Sequence, residues 1–170
     1  ISDRTVAILP VHLYGKPCQM TALVALCKAH NLKLIEDCAQ AQGANLCGQI
    51  VGTFGDLGAC SFYPTKNLGA LGDGGAIITN SQALSQKLRA LRNYGSEKKY
   101  FNSSIGLNSR LDEVQAAFLR IKLRSLDAIN QKKRQLASIY FQHLSDKVIL
   151  PAQQDNTNEA FHIFPIRYQQ

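Results

Sequence analysis

Apolar and polar positions alternate in short blocks over the first half of the chain. Four blocks rich in apolar and β-branched residues are typical of buried strands: residues 5–13, 32–38, 59–63 and 76–79. Between the first two, residues 20–30 place Leu23, Leu26 and Cys27 at the spacing of one helix face. A second helical pattern begins at Ser81, which suits an N-cap, and ends near residue 91. Strands that alternate with helices predict an α/β fold with a mostly parallel central sheet flanked by helices.

The second half of the chain has a different pattern. Residues 111–144 contain no Gly or Pro and predict one long helix, with Asn108 or Ser109 as its N-cap. Residues 145–160 are polar and predict a loop, and residues 161–168 predict a strand. In the first half, residues 45–58 are Gly-rich and predict irregular structure.

The last predicted strand bears on domain organisation, because a domain that closes on a lone strand would lack the strand's pairing partners. We therefore expect residues 1–125 to be part of one domain, and residues 126–170 to be a linking helix and the start of a second. The chain also lacks an initiating Met. We expect a fold that is truncated at both ends.

Composition narrows the class of protein. With 45% hydrophobic and 18% charged residues among 170, the chain is typical of globular rather than disordered proteins. No apolar run approaches the roughly 20 residues that cross a bilayer, so no membrane partner is expected. The net charge of +7 suits either an anionic partner or a solvated basic helix face, and the second is the simpler interpretation. No nucleic-acid-binding motif is recognisable.

The number and spacing of the cysteines argue against a disulfide framework and against a zinc site. There are five, and no two form a CxxC pair. An odd number without paired spacing predicts neither a disulfide framework nor a zinc site, and no metal is expected. Buried, reduced thiols in a cytoplasmic protein are the simpler interpretation.

Two candidate chemical groups follow predicted strands, where α/β sheets collect ligands. Lys66 comes after the strand at 59–63 in an apolar setting, which suits an amine used in Schiff-base chemistry. A surface lysine is the alternative. Glu36 and Asp37 end the strand at 32–38, and neighbours in a strand point to opposite faces, so only one of them faces a given site. A simple turn acid is the alternative for Asp37.

Two further segments have backbone features that suit a ligand. The glycine-rich run at 69–75 is not a dinucleotide fingerprint, because a predicted strand rather than a helix follows it. Tight turns, or close approach of the backbone to a cofactor, explain its glycines better. Asn108, Ser109 and Arg110 stand at the predicted helix start, where free N–H groups suit a phosphate. An ordinary N-cap is the alternative.

The order of the motifs is more specific than any one of them. In sequence they are VHLYG at 11–15, IEDCAQAQGA at 35–44, GTFGD at 52–56, SFYPTKNLG at 61–69, GDGG at 72–75, RNYG at 92–95 and GLNSRLD at 106–112. This series resembles the DegT-type sugar aminotransferases, which are pyridoxal 5'-phosphate (PLP) enzymes of fold type I. The resemblance covers essentially the whole chain.

The resemblance implies a role for five residues. Lys66 resembles the lysine that binds PLP covalently and then moves protons. Asp37 resembles the carboxylate paired with the pyridine nitrogen, and Gln40 the amide near the ring and its 3-hydroxyl. Ser61 resembles a hydroxyl that binds the cofactor phosphate. Asn108 resembles a phosphate contact supplied across a homodimer by the other subunit. An acid, a lysine and neutral phosphate ligands suit PLP chemistry.

The implied activity is transfer of an amino group from an amino acid, with glutamate as the expected donor, to a keto group of a nucleotide-linked sugar. Two alternatives stay open. Some relatives are sugar dehydratases that use pyridoxamine phosphate, but those typically have His at the position of Lys66. The chain could also be a truncated product without catalytic activity, since the family's N-terminal phosphate loop and most of its small domain are missing here.

Overall fold

The computed structural model describes residues 1–98, 100–144 and 148–168. In chain order the strands are β1 (Ala7–Ile8), β2 (Lys33–Asp37), β3 (Asn45–Leu46), β4 (Gln49–Ile50), β5 (Leu57–Ser61), β6 (Gly75–Ile78), β7 (Ser96–Lys98), β8 (Phe101–Asn102) and β9 (Thr157–Asn158). The helices are α1 (Met20–Ala29), α2 (Gln82–Leu91), α3 (Glu113–Leu123) and α4 (Leu126–His143). None of the helices in these described segments is long and apolar enough to span a bilayer.

A four-stranded sheet in the order β1-β2-β5-β6 forms the centre of the fold. β1, β2 and β5 run parallel, with Asp37 beside Ala59, and β6 joins the edge antiparallel, with Ile77 beside Ala59. The prediction of an α/β fold with a mostly parallel sheet is confirmed. The carboxyl ends of β2 and β5 therefore meet at one edge.

Two apolar clusters hold helices against this framework. α1 buries Met20 and Cys27 against Leu34 of β2 and Leu46 of β3. The second cluster joins the segment after β5 to α3 and α4, and consists of Leu68, Ala70, Leu119 and Leu126. The turn that carries Lys66 is thus followed directly by residues that pack on the two C-terminal helices.

The predicted cap of α2 is confirmed. The Ser81 side-chain oxygen accepts a hydrogen bond from the Leu84 N–H at 3.3 Å. α1 also matches its predicted range, and His30 is its C-cap.

The prediction of one long helix over 111–144 is wrong. α3 ends at Leu123, where Arg124 and Ser125 donate to carbonyls three residues back, and α4 begins afresh at Leu126. Tighter bonds of this type end an α-helix without needing Gly or Pro. The predicted N-caps Asn108 and Ser109 are also wrong, because α3 starts at Glu113 with Asp112 in the cap position.

Two predicted strands are shorter or absent. Residues 5–13 pair regularly only over β1, since Pro10 has no N–H to donate and residues 13–15 form a 3-10 turn. Residues 161–168 form no strand, and Arg167 makes only an isolated bridge with Ile149. Rings on this segment pack instead on α4, with Phe164 and Phe141 centroids 5.1 Å apart.

The segment at 45–58 is more regular than predicted. β3 and β4 form a hairpin, and β9 adds to it from the far end of the chain. The polar loop predicted over 145–160 therefore contains a short strand, while its residues 145–147 lie outside the described part. Lys99 also lies outside it, between β7 and β8.

Candidate cofactor site

Asp37 and Ser61 lie together at the carboxyl ends of β2 and β5. Both line a groove of about 290 Å³, whose apolar wall includes Leu9, Ile35 and Ala59. One Asp37 carboxylate oxygen accepts the Ala39 N–H at 2.9 Å, which orients the side chain and leaves the second oxygen for another partner. The Ser61 hydroxyl accepts the Tyr63 N–H at 3.3 Å. The groove therefore has a carboxylate and a hydroxyl beside an apolar surface.

Glu36 points to the opposite face of β2 and lies in a closed polar cluster. Its side chain is fully buried, and its two oxygens accept N–H groups of Gly52, Phe54 and Gly55 at 2.7–2.8 Å and approach His12 Nε2 at 3.1 Å. Burial alone would raise the pKa of Glu36, but these four hydrogen bonds lower it below the usual value. Glu36 is thus an anion whose hydrogen-bonding capacity is used inside the fold.

His12 completes this cluster, where burial lowers its pKa but the contacts with Cys18 and Glu36 outweigh burial and raise the pKa to about 9. In this geometry Nδ1 lies 3.0 Å from the backbone N–H of Cys18, which donates to it, and Nε2 is the ring nitrogen that donates to Glu36. His12, Glu36 and Cys38 place ligand-type atoms within 4.8 Å of one another. The backbone N–H groups that point at Glu36 repel a cation, so this arrangement is better explained as a buried polar cluster than as a metal site.

The turn after β5 holds Lys66. Its N–H donates to the Tyr63 carbonyl at 2.9 Å, and the side chain is half-buried. His162 is near enough to respond to its charge. Burial lowers the pKa of His162, and the positive charges of Lys66 and Lys133 lower it further. Lys66 follows the end of β5 but is not among the residues that line the groove containing Asp37 and Ser61.

Gln40 is held by a neighbouring loop. Its side-chain oxygen accepts the Tyr14 N–H at 2.6 Å. Gly15, which follows Tyr14, has a φ of +96°. A Cβ at Gly15 would lie 3.0 Å from both the Gln40 carbonyl oxygen and the His162 backbone nitrogen. Only glycine lets the three segments approach this closely.

Asn108 is not joined to the other four candidates. It is exposed and forms an isolated antiparallel bridge with Asn93. Arg110 donates to the Asn93 side chain at 3.3 Å and lies 5.5 Å from the centre of the Tyr94 ring. The prediction that Asn108 lies at the start of a helix is wrong, because α3 begins at Glu113. Its role at a phosphate stays a prediction.

Sequence reasoning missed a buried network of three amides. Gln42 donates to the carbonyls of Ala39 and Ser61 at 3.2 and 2.5 Å. Asn130 donates to the Gln42 carbonyl at 2.8 Å and accepts from Asn67 at 2.8 Å. The one available signal was Asn130 itself, a polar residue four positions after the buried Leu126 on the buried face of α4.

The distribution of unpartnered buried polar atoms tests whether these residues suit a cofactor. In residues 1–98, 100–144 and 148–168, such atoms are Gln42 Oε1, Asn67 Oδ1 and His162 Nδ1. Gln42 bonds to the Ser61 carbonyl, Asn67 directly follows Lys66, and the charge of Lys66 lowers the pKa of His162. Buried polar atoms normally have partners, so these three atoms leave hydrogen-bonding capacity for a ligand or water. An acid, a lysine and a hydroxyl in the same part of the fold fit PLP.

The five cysteines are unpaired, and their burial varies. Cys27 and Cys38 are buried as expected, Cys18 and Cys60 are partly buried, and Cys47 is exposed. Cys60 packs against Cys38 beside the groove.

Comparison with known proteins identifies the family. EryC1 of Saccharopolyspora erythraea, named an erythromycin biosynthesis sensory transduction protein, is 50% identical over 169 residues, which cover 98% of this chain and 46% of that protein. The dTDP-3-amino-3,4,6-trideoxy-alpha-D-glucose transaminase of Streptomyces venezuelae is 47% identical over 169 residues, or 98% of this chain and 45% of that one. The chain thus spans about half the length of these relatives.

The three-dimensional comparison agrees. The crystal structure of S. venezuelae DesV superposes with a TM-score of 0.95 at 47% identity, over 99% of this chain and 46% of that one. The fold class and the PLP dependence expected of the family are confirmed. The whole chain, residues 1–170, matches one family. The chain belongs to the DegT/DnrJ/EryC1/StrS aminotransferase family.

Proposed function

We propose that the complete polypeptide is a PLP-dependent aminotransferase that moves an amino group from glutamate to a keto group of a nucleotide-linked sugar. The observation that carries the proposal is the meeting of Asp37 and Ser61 at adjacent strand ends, beside the turn that holds Lys66. Membership of an aminotransferase family supports the reaction type. The dTDP-sugar transaminase relative supports the substrate class.

Each of the chain's groups has a distinct task in this proposal. The free Asp37 oxygen holds a proton on the pyridine nitrogen, and the Ser61 hydroxyl binds the phosphate. The Lys66 amine would hold the cofactor covalently and, when free, would accept and donate the protons that the transfer requires. Gln40 would contact the cofactor ring. Bound PLP supplies an electron sink for the reaction.

The location and oligomeric state belong to the same proposal. Unpaired cysteines suit a reducing cytoplasm. The proposed enzyme is a homodimer in which Asn108 contacts the partner subunit's cofactor. Exposed apolar residues flank Asn108, with Ile105 96% and Leu107 73% exposed. Val114, Phe118 and Ile121 are also exposed at the spacing of one face of α3. An apolar surface of this kind suits a subunit interface.

The covalent role of Lys66 is tested by trapping. The complete polypeptide is loaded with PLP, reduced with borohydride, digested and mapped by mass spectrometry. The label is expected on Lys66, and a label only on another lysine rejects the assignment. Lys66→Ala should abolish formation of amino sugar from glutamate and a dTDP-linked ketosugar. Lys87→Ala, which removes an exposed lysine on α2, should leave the rate unchanged.

A further inference from the structure

A buried amide on α4 links the segments that carry the proposed cofactor residues. Asn130 is 1% exposed and Asn67 is 6% exposed. Asn130 Oδ1 accepts from Asn67 Nδ2 at 2.8 Å, and Asn130 Nδ2 donates to the Gln42 carbonyl at 2.8 Å. Asn67 Nδ2 also donates to the Ala160 carbonyl at 2.7 Å. One side chain thus ties the residue after Lys66 to the loop after Asp37.

The orientation of the Asn130 amide is fixed by its partners. Rotating it by half a turn would place its NH2 group against the Asn67 NH2 group and its oxygen against the Gln42 carbonyl. Both contacts would be repulsive. Gly43 leaves the necessary room, because a Cβ there would lie 2.6 Å from Asn130 Nδ2. The site therefore accepts an amide of one shape in one orientation.

The network also reaches the segments that carry Asp37 and Ser61, the other two residues proposed to bind the cofactor. Gln42, whose carbonyl receives Asn130, bridges Ala39 and Ser61 through its own side chain. On the other side, Ala160 is followed by Phe161 and His162. The Phe161 carbonyl accepts from Lys133 at 3.4 Å, and the charge of Lys66 lowers the pKa of His162. Loss of Asn130 would break the connection from the Lys66 turn to the Gln42 loop, and would leave Asn67 bonded to the Ala160 carbonyl alone.

We propose that Asn130 is a positioning residue that fixes Lys66 relative to Asp37 and Ser61. The inference rests on the proposed role of Lys66 and goes beyond it, because Asn130 touches neither the reacting atoms nor the cofactor. It acts through Asn67, which is joined to Lys66 by the peptide bond. A turn held at both ends by buried hydrogen bonds has fewer alternative positions, which keeps an amine at a productive distance.

The test compares Asn130→Ala with Ala137→Gly in the complete polypeptide. Ala137 is buried on the same helix outside the network, so its change loosens α4 without breaking these bonds. Two readouts are measured on each protein: the rate at which added PLP becomes borohydride-trapped on Lys66, and the circular dichroism of the cofactor band per bound PLP. The melting temperature is measured alongside, because both variants lower it.

Asn130→Ala is expected to slow trapping on Lys66 about tenfold and to weaken the cofactor dichroism, while Ala137→Gly keeps both near wild type. Asn67→Ala should slow trapping at least as much as Asn130→Ala, because it breaks the shared Asn67–Asn130 bond and the bond to the Ala160 carbonyl as well. The double variant should be slowed by less than the product of the two single effects, because both changes break the shared bond. If Asn130→Ala does not fold, Asn130→Ser is measured in its place. Wild-type trapping and dichroism in a folded Asn130 variant overturn the proposal, whereas trapping on another lysine in the wild type overturns the proposed function instead.

Discussion

At the scale of single residues, the two neighbouring acids of β2 have different environments. Glu36 faces inward, where three backbone N–H groups and His12 surround its carboxylate. Asp37 faces the groove, with one oxygen bound to the Ala39 N–H. Alternation along a strand separates their roles, because it assigns one acid to the stability of the fold and leaves the other beside the proposed cofactor.

Glu36→Gln should destabilise the fold by about 3 kcal/mol, because the neutral amide brings an NH2 group towards N–H donors that need an acceptor. The loss should depend on pH. The folded-state pKa of Glu36 is lowered, so its contribution is complete above the unfolded-state pKa and disappears as pH falls through the folded-state pKa. Urea unfolding between neutral and acid pH measures both effects.

The control for this experiment is Asp3→Asn, since Asp3 is exposed and makes no such cluster. Its free energy of unfolding should match wild type across the pH range. An equal stability difference between wild type and Glu36→Gln at neutral and strongly acid pH would contradict the assignment of an ionised Glu36.

Asp37→Asn should leave the cofactor bound but slow the reaction strongly, since a neutral amide does not hold the proton on the pyridine nitrogen. The measurements are the PLP dissociation constant and kcat in the complete polypeptide. We expect a large fall in kcat with a small change in PLP affinity. Turnover near wild type would refute the pairing of Asp37 with the nitrogen.

At the scale of elements, α2 offers a direct test of a local signal. Ser81→Ala removes the oxygen that accepts the Leu84 N–H, and should lower the free energy of unfolding by about 1 kcal/mol. Ser85→Ala, one turn later in the same helix, should be neutral or slightly stabilising because Ala is the better helix former. Similar losses in the two variants would show that the cap contributes nothing.

The elements that the sequence predicted well have local causes. α1 and α2 have helical spacing of apolar residues, and β2 and β5 are short apolar runs that end in polar residues. The β3–β4 hairpin was missed because its two-residue turn is Cys47-Gly48, with φ of +52° and +81°. Both values are those of a type I′ turn, which Asn-Gly or Asp-Gly usually signals.

The elements that it predicted wrongly depend on contacts distant in sequence. The break between α3 and α4 has no Gly or Pro, and Leu126 just after it is buried against Leu68 and Leu119. The segment at 161–168 has the composition of a strand, but its rings pack on Tyr140 and Phe141 of α4. Tertiary packing decides both outcomes, which periodicity alone does not capture.

At the scale of the whole molecule, the candidate site contains residues that local sequence patterns predict and residues whose role depends on contacts distant in sequence. Asp37 and Lys66 were predicted from the sequence because each lies at or just after the end of a predicted strand, whereas Ser61 was predicted only through the family resemblance. Asn130 bonds to a residue 63 positions away in sequence, and its role appears only when α4 is placed against the Lys66 turn. This contact also crosses the predicted boundary between residues 125 and 126, which stays a prediction.

The proposed homodimer assigns Asn108 to the partner's site, and mixed dimers can test this. In the described structure Asn108 is exposed on a segment with exposed Ile105 and Leu107, and has no hydrogen bond to Asp37, Ser61 or Lys66. Action in trans would explain why the chain displays Asn108 away from its own groove. Full-length Lys66→Ala and Asn108→Ala subunits are purified, mixed and exchanged, and heterodimer formation is confirmed by native mass spectrometry.

If Asn108 acts in trans, a heterodimer collects both defects in one site and leaves the other intact. Activity should then rise from near zero towards half of the wild-type value per dimer, because one of two sites is complete. If Asn108 acts within its own subunit, each site carries one defect and activity stays at the level of the parents. With the Asn108→Ala homodimer impaired and heterodimers present, no recovery rejects the assignment. An Asn108→Ala homodimer with full activity rejects any role for Asn108 at the phosphate.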